Sequence, residues 1–184
     1  MNNPVTRHTL SVLVENTPGV LSQVSRLFSR KGYNIESLAV GTTDDPEVSR
    51  ITIEVTCDNL MIEQIINQLR KLFCVYSVRL LPPASSIRRE LVLIKVKGRD
   101  VRNEVIQIAN IFRATIIDVS TKSLTLAVIG QESKDDALEK LLCEFGILEL
   151  VRTGMVALER GEATINDNDD NKETDEFDLG KNVL

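Results

Sequence analysis

The chain has 184 residues, of which 42% are hydrophobic and 4% aromatic, and its formal net charge at pH 7 is −5. This length and composition allow one medium domain or two small ones with an aliphatic core. The acidic balance argues against a nucleic-acid-binding protein, which needs a basic face to meet phosphates. Three widely spaced cysteines have neither the spacing of metal ligands nor a disulfide framework, so we expect no metal site and a reducing compartment.

The first half of the chain predicts the element order β-α-β-β-α-β. Alternating residues at 9–14 predict a strand with one buried face, and apolar residues at helical spacing over 20–28 predict a helix. We expect Asn16 or Thr17 to cap this helix and Pro18 to take its first position. The further elements are strands at 35–42, 51–55 and 75–81, and a helix capped by Asp58 with the apolar stripe Ile62, Ile65, Ile66, Leu69 and Phe73.

The same order of elements repeats after a Pro- and Ser-rich stretch at 82–86. The second half predicts strands at 91–97, 115–120, 124–129 and 147–158, with helical stripes at 101–112 and 138–145. The fold class is therefore α+β, with two tandem ferredoxin-like βαββαβ domains. The predicted boundaries are a first domain at 5–82, a linker at 83–88, a second domain at 89–161 and a disordered acidic tail at 162–184.

A candidate binding site lies where the first strand meets the first helix, in the sequence ENTPGVL at 15–21. The N–H groups of Gly19, Val20 and Leu21 would point out of the helix end and form a small anion site, favoured by the helix dipole. Asn34, after a turn at Gly32, has an amide that both donates and accepts hydrogen bonds. Together they suit an amino acid, which carries a carboxylate and an ammonium group. Taken alone, the first segment is explained more simply as a Pro-Gly turn without any binding role, and its combination with the segment at 32–34 favours the binding site.

Catalytic chemistry has little support in the sequence. His8 is the only histidine and has no evident nucleophile to serve, and no glycine-rich phosphate loop is present. We therefore expect a non-catalytic protein without catalytic residues. A basic stretch at 88–99 is either a solvated sheet edge or a docking patch for a partner subunit, and the sequence does not separate the two.

Neither a membrane span nor a targeting segment is predicted. The chain contains no run of about 18 apolar residues. Its N-terminal region has neither an apolar signal core nor an Arg- and Ser-rich transit segment. We expect the protein to stay where it is made, in a bacterial cytoplasm or in the stroma if it is plastid-encoded.

Several blocks of sequence, in the same order, carry a family resemblance. The blocks are LSVLVENTPGVLSQVSRLFSRKGYNIE at 10–36, TDDP at 43–46, SRITIEV at 49–55, RELVLIKV at 89–96, IFRATIIDV at 111–119 and RTGMVALERG at 152–161. Together they resemble the small regulatory subunit of acetolactate synthase (acetohydroxyacid synthase), a family with an N-terminal ACT domain. The resemblance covers nearly the whole chain up to Gly161.

This resemblance implies a regulatory role. In such proteins two ACT domains pair side by side, and a branched-chain amino acid, typically valine, binds between them and exerts feedback inhibition. The residues that correspond are Asn16, Gly19, Val20 and Leu21 of one protomer and Asn34 and Ile35 of its neighbour. The implied partner is the large catalytic subunit, which carries thiamine diphosphate, Mg²⁺ and FAD, whereas this chain binds no cofactor itself. The second domain would mediate association with the large subunit and its activation.

Two other classes of protein remain as alternatives. A stand-alone ACT-type sensor of another biosynthetic enzyme would keep the first-half site but lack the blocks at 89–96 and 111–119. An RNA-binding or enzymatic ferredoxin-like domain would need aromatic residues on the sheet face or a basic face. The sequence contains both blocks, and it has neither sheet-face aromatic residues nor a basic face, so both alternatives are less favoured than the regulatory subunit.

Overall fold

The computed structural model of the chain describes residues 4–98 and 101–167. Nine strands and four α-helices occur in these ranges. In chain order they are β1 (Thr6–Glu15), α1 (Val20–Lys31), β2 (Ser37–Thr42), β3 (Val48–Cys57), α2 (Asn59–Leu69), β4 (Val75–Leu80), β5 (Ser86–Lys97), α3 (Arg102–Phe112), β6 (Thr115–Val119), β7 (Ser123–Gly130), α4 (Glu132–Leu142), β8 (Ile147–Arg152) and β9 (Val156–Glu159).

Two antiparallel sheets form, with strand orders β2-β3-β1-β4 and β6-β7-β5-β8. The predicted α+β class, with two tandem ferredoxin-like units, is confirmed. Each unit has its own aliphatic core between one sheet and its two helices. None of the helices in the described ranges is long and apolar enough to cross a membrane.

The last strand of the second unit is broken. The prediction of one strand over 147–158 is wrong, because β8 and β9 are separated by a turn in which Gly154 has φ +80°. β8 pairs with the second half of β5, whereas β9 pairs with its first half, at 86–89. The strand β5 therefore reaches back into the stretch predicted as linker, of which Pro83–Ser85 forms a 3₁₀ turn. β9 is thus carried out of the second sheet and towards the first domain.

Both faces of the central strands in the first sheet are buried, although the alternating pattern predicts one. The polar residues Thr9 and Ser11 on β1, and Thr52 on β3, are as inaccessible as their apolar neighbours. A cavity beside Ser11 is lined by Leu158 of β9 and by residues 163–165, so these segments cover the second face. The predicted single buried face is wrong because this cover comes from distant parts of the chain.

The start of the predicted tail is ordered. Ile165 is only 6% exposed, and its carbonyl oxygen accepts a hydrogen bond from Ser77 Oγ on β4, 3.0 Å away. Arg79 Nη2 donates to the carbonyl oxygen of Thr164 at 3.1 Å. The prediction of disorder is therefore wrong for 162–167, and the rest of the predicted tail, 168–184, lies outside the described residues.

The second helix matches its predicted start but not its predicted end. Asp58 Oδ1 accepts a hydrogen bond from the backbone N–H of Met61 at 2.8 Å, which confirms the predicted cap. The helix ends at Leu69, and Phe73, predicted as the last member of its apolar stripe, is 95% exposed. The stripe therefore stops one turn earlier than the sequence indicates.

Candidate functional site

The helix α1 begins at a glycine in the left-handed conformation. Its N-cap is Gly19, with φ +93°, and no side chain caps the helix. The predicted caps Asn16 and Thr17 are therefore wrong, and Pro18 precedes the helix instead of opening it. A Cβ atom added to Gly19 would have no heavy atom within 4 Å, so the space in front of this helix end is open.

Backbone donors at this helix end are weakly bonded or without a partner among the described residues. The Val20 N–H reaches the carbonyl oxygen of Thr17 only at 3.4 Å. In the described part of the chain, the N–H groups of Gly19 and Leu21 have no hydrogen-bond partner. Such donors at a helix start, aided by the helix dipole, form a ready site for a carboxylate or another small anion.

Asn16 holds a neighbouring loop in place. Its Nδ2 donates to the carbonyl oxygen of Pro46 at 2.8 Å, and its Oδ1 accepts from Ser49 Oγ at 3.0 Å. Its backbone N–H also donates to the carbonyl oxygen of Glu47 at 2.8 Å. The side chain thus fixes the loop before β3 beside the helix end.

The two apolar residues of the first helical turn have different environments. Val20 is 4% exposed and belongs to the first core, so it can offer a ligand only its backbone. Leu21 is 42% exposed, which leaves its side chain free to meet an aliphatic group. The sequence pattern alone does not separate these two neighbours.

The second half of the predicted site lies beyond the other end of α1. The helix ends at Gly32, and Asn34 follows in an exposed segment before β2. Asn34 Nδ2 donates to Glu36 Oε1 at 2.9 Å, whereas Ile35 packs against the first core. The sequence predicts a strand from residue 35, but β2 begins only at Ser37, so residues 35 and 36 precede the strand.

One copy of the chain does not bring the two halves together. The helix α1 has 12 residues, and a helix rises about 1.5 Å per residue, so its ends are roughly 18 Å apart. Gly19 lies at one end and Asn34 at the other. A single amino acid is too short to touch both.

A second polar cluster, not predicted from the sequence, joins the two domains. A cavity of about 380 Å³ between them is lined by Arg7, Glu36, Ser37, Leu38, Glu54, Glu90, Glu132, Arg152, Thr153, Gly154 and Met155. We call this the interdomain cavity. The only sequence signals are charged residues such as Glu54 and Glu90 inside otherwise strand-like runs.

Arg152 is the most connected cation of this cluster. Its guanidinium donates to Glu90 at 2.8 Å and to Asp136 and Glu139 at 2.7 Å each. Burial lowers the pKa of Arg152, but the hydrogen bonds to Glu139 and Asp136 and the charge of Glu90 outweigh it and raise the pKa. Arg152 therefore stays charged and ties β8 to α4 and β5.

Groups suited to acid–base or metal chemistry are sparse. His8 is half-buried on β1, with Nε2 3.2 Å from the carbonyl oxygen of Cys57. Within 4–98 and 101–167 no group of three or more His, Cys, Asp or Glu side chains is arranged to hold a metal ion.

Comparison with known proteins gives a consistent family. Residues 89–161 match a family model described as the small subunit of acetolactate synthase, and residues 10–77 match one described as an AHAS small subunit-like ACT domain. A probable acetolactate synthase small subunit from Methanothermobacter thermautotrophicus is 47% identical over 160 residues, which cover 86% of this chain and 95% of that protein. The acetolactate synthase small subunit of Mycolicibacterium smegmatis is 46% identical over 162 residues, or 88% of this chain and 95% of that one.

A solved structure agrees with these sequence matches. The crystal structure of the acetolactate synthase small subunit from Thermotoga maritima superimposes with a TM-score of 0.82 and 39% identity, covering 86% of this chain and 99% of that chain. The resemblance seen in the sequence is thereby confirmed in both domains. The chain belongs to the family of acetolactate synthase small subunits, the non-catalytic ACT-domain subunits of that enzyme.

Proposed function

We propose that this chain binds a branched-chain amino acid, valine or a close relative, between the first domains of two copies and so regulates the large catalytic subunit. The observation that carries the proposal is the open helix end at Gly19, where two backbone N–H groups lack partners in the described chain. The carboxylate of the amino acid accepts hydrogen bonds from these groups. Leu21, exposed beside them, contacts the aliphatic side chain.

The order of the strands supports a site shared by two copies. Thr42 at the end of β2 is in register with Ser49, and Ser49 is in register with Val14 near the end of β1. The end of β2 therefore lies at the same end of the sheet as Gly19, while Ser37 at the start of β2 lies at the opposite end.

A two-fold axis through the edge of β2 then completes the site. In the described residues β2 is an edge strand, paired on one side only. Antiparallel pairing of two such edges lays the start of one β2 beside the end of the other. The segment with Asn34 and Ile35 of one copy thereby approaches Gly19 of its neighbour, which the span of α1, roughly 18 Å, prevents within one copy.

A ligand shared in this way has a direct regulatory consequence. It binds only the arrangement in which both halves converge, so it shifts the population of dimers towards that arrangement. A coupling free energy of about 1–3 kcal/mol between this site and the catalytic subunit changes activity or affinity several-fold or more. The catalytic partner carries thiamine diphosphate, Mg²⁺ and FAD in this proposal, and the second domain mediates association and activation, in a cytoplasm or stroma.

Calorimetric titration with valine tests the proposal on the purified full chain. Gly19→Asp adds a carboxylate where the ligand carboxylate is to bind, and we expect it to abolish the binding heat. Gly19→Ala is the matched control, since it carries the same strain at φ +93° without the charge. We expect Gly19→Ala to retain binding within about tenfold, the equivalent of about 1.4 kcal/mol.

Leucine and isoleucine are titrated in parallel, because an aliphatic contact alone does not choose among them. Binding of none of the three by the wild-type chain or by its complex with the large subunit contradicts the proposal. Equal binding by Gly19→Asp and wild type contradicts the location of the carboxylate at this helix end.

A further inference from the structure

The segment that holds Asn34 continues directly into a contact with the second domain. β2 begins at Ser37, three residues after Asn34. Ser37 Oγ accepts a hydrogen bond from the backbone N–H of Met155, in the turn between β8 and β9, at 2.9 Å. The two residues are 118 positions apart in sequence, so this hydrogen bond joins the two domains.

The neighbouring glycine fits too closely to move independently. A Cβ atom added to Gly154 would lie 2.9 Å from Ser37 Oγ and 3.1 Å from the carbonyl oxygen of Leu38. Real Cβ atoms essentially never lie as close as 2.9 Å to another heavy atom, and 3.1 Å is tighter than most real contacts, so a side chain at 154 requires Ser37 or Leu38 to shift. The turn is therefore packed against the start of β2, and a displacement of one requires a displacement of the other.

The turn is also fixed firmly to the body of the second domain. Thr153 N–H donates to the carbonyl oxygen of Leu91 at 3.1 Å, and Thr153 Oγ1 accepts from the Leu91 N–H at 3.1 Å. The preceding residue, Arg152, is hydrogen-bonded to Asp136 and Glu139 on α4. A change at Ser37 is therefore passed to β5 and α4, not absorbed by a loose loop.

The other end of this connection reaches the candidate site itself. Asn34 Nδ2 donates to Glu36 Oε1 at 2.9 Å, so a ligand that uses the Asn34 amide competes with Glu36 for it. Glu36 lines the interdomain cavity, and its backbone N–H donates to the carbonyl oxygen of Glu54 at 2.9 Å. Glu54 is in turn paired with Arg7, which also contacts Glu132 at the start of α4.

We propose that Ser37 and Gly154 form the positioning contact through which an amino acid bound beside Asn34 shifts the second domain. The inference rests on the proposed function and deepens it, since it names the contact that carries regulation between the domains. The ligand replaces Glu36 as the hydrogen-bond partner of the Asn34 amide. The start of β2 then shifts, and the turn at 153–155 shifts with it. Ser37 and Gly154 do not touch the ligand.

Matched variants of the full chain separate this role from general stability. Gly154→Ala introduces the close contact with Ser37, whereas Gly161→Ala is its control, because Gly161 has nearly the same φ, +81°, and open space around a Cβ atom. Ser37→Ala removes the acceptor for the Met155 N–H. Its control is Ser29→Ala, whose hydroxyl donates only within α1, to the carbonyl oxygen of Ser25.

The experiment has two readouts for each variant. The first is the change in activity that saturating valine causes in the holoenzyme reconstituted with the large subunit. The second is amide hydrogen exchange in the full chain with and without valine, read at 34–36 and in α4. A merely structural role of Ser37 or Gly154 would lower stability without removing the response of α4 to valine.

We expect valine to change exchange at 34–36 in all four variants, because the binding residues are intact. In Gly154→Ala and Ser37→Ala the response of α4 is lost, and the effect of saturating valine on activity falls by about 2- to 30-fold. Both controls respond as the wild type does. In the double variant Ser37→Ala/Gly154→Ala the effect of valine on activity falls by less than the two single losses combined, because the added methyl group no longer meets a hydroxyl.

The outcomes distinguish the two proposals. If valine changes exchange at 34–36 in the wild type but the response of α4 and of activity is the same in Gly154→Ala as in Gly161→Ala, the positioning contact is overturned and the binding site stands. If valine changes nothing at 34–36 in the wild type, the proposed function is overturned and the positioning contact with it.

Discussion

The side chain of Glu54 is only 3% exposed, and its carboxylate is paired with Arg7 Nη2 at 2.7 Å. Thr9 Oγ1 donates to the same carboxylate at 3.1 Å. Arg7 also extends to Glu132 at the start of α4, so one guanidinium joins the first sheet to the second domain. A buried carboxylate of this kind is tolerated only because it is paired and hydrogen-bonded.

Removing Arg7 leaves this carboxylate with one neutral donor. We expect Arg7→Met, which keeps most of the aliphatic volume, to lower the free energy of unfolding by about 1.5–3 kcal/mol, the typical contribution of a hydrogen bond to a charged group. Urea unfolding followed by circular dichroism measures this change.

Glu132→Gln is the matched control, because it removes only the exposed end of the same bridge. An exposed ion pair contributes about 0–1 kcal/mol, so this variant should stay close to the wild type. Equal losses for Arg7→Met and Glu132→Gln would contradict the role of Arg7 as the partner that the buried carboxylate requires.

The segment around Ile165 stabilises the first domain from outside its own sequence. Ile165→Ala removes a nearly buried side chain from the second face of the first sheet, and we expect a loss of about 2 kcal/mol, the lower end for such substitutions. Truncation after Asp167 keeps all the described contacts of this segment, so it should change the free energy of unfolding by less than about 0.5 kcal/mol. Thermal unfolding of both chains tests this. If truncation lowered the free energy of unfolding as much as Ile165→Ala, the stabilising contacts would have to involve residues beyond 167.

The sequence predicts what local pattern controls. Periodicity gives the four helices and the order of strands, and the cap at Asp58 follows from a side chain that reaches its own helix. Prediction from local pattern fails where contacts with distant segments of the chain determine which residues are buried. Ser11 is typical of a solvated face, but residues 163–165 and Leu158 of β9 lie beside it, and it is buried.

The candidate site shows the same division. Asn16 has the right chemistry for a helix cap, but its amide is used by Pro46 and Ser49, which lie in another part of the chain. The strand predicted through 147–158 hides a turn at Gly154, because the residues on both sides favour strands. The separation of Gly19 from Asn34 by the length of α1 is a three-dimensional fact, and no spacing in the sequence indicates that two copies are needed.

A buried acid in α4 gives stability an unusual dependence on pH. Asp135 is fully buried, and neither carboxylate oxygen has a hydrogen-bond partner among the described residues. Burial raises the pKa of Asp135 above its ordinary value, although the charges of Lys134 and Arg152 oppose this. The folded chain therefore holds this proton more tightly than the unfolded chain, and its stability falls as the pH rises from about 3.9 through the raised pKa.

Asp135→Asn removes the titration with little change in shape. At pH 8 we expect the variant to melt about 2–4 °C above the wild type, the shift that corresponds to about 1 kcal/mol in a chain of this size. The gain should disappear below about pH 3.9, where the wild-type side chain is neutral in both states. Asp136→Asn is the control, because Asp136 is exposed and paired with Arg152. A pH-independent gain, or the same gain in Asp136→Asn, would contradict the buried charge as its cause.

Complementation between two inactive variants tests whether the site is shared by two protomers. Gly19→Asp damages one half of the site and Asn34→Asp the other, so each variant alone should bind no valine. A dimer with one protomer of each kind has one site with both changes and one site with neither. When the two variants assemble at random, half of the dimers are mixed, and about one quarter of all sites are intact.

Co-expression of the two variants with different affinity tags isolates the mixed dimer. We expect it to bind one valine per dimer with the wild-type affinity, measured by calorimetry, and each parent variant to bind none. A site contained within one protomer cannot be restored in this way, because every protomer still carries one damaging change. Failure of a stable mixed dimer to bind would therefore contradict the shared site, and a monomeric wild-type chain with full affinity in sedimentation would do the same.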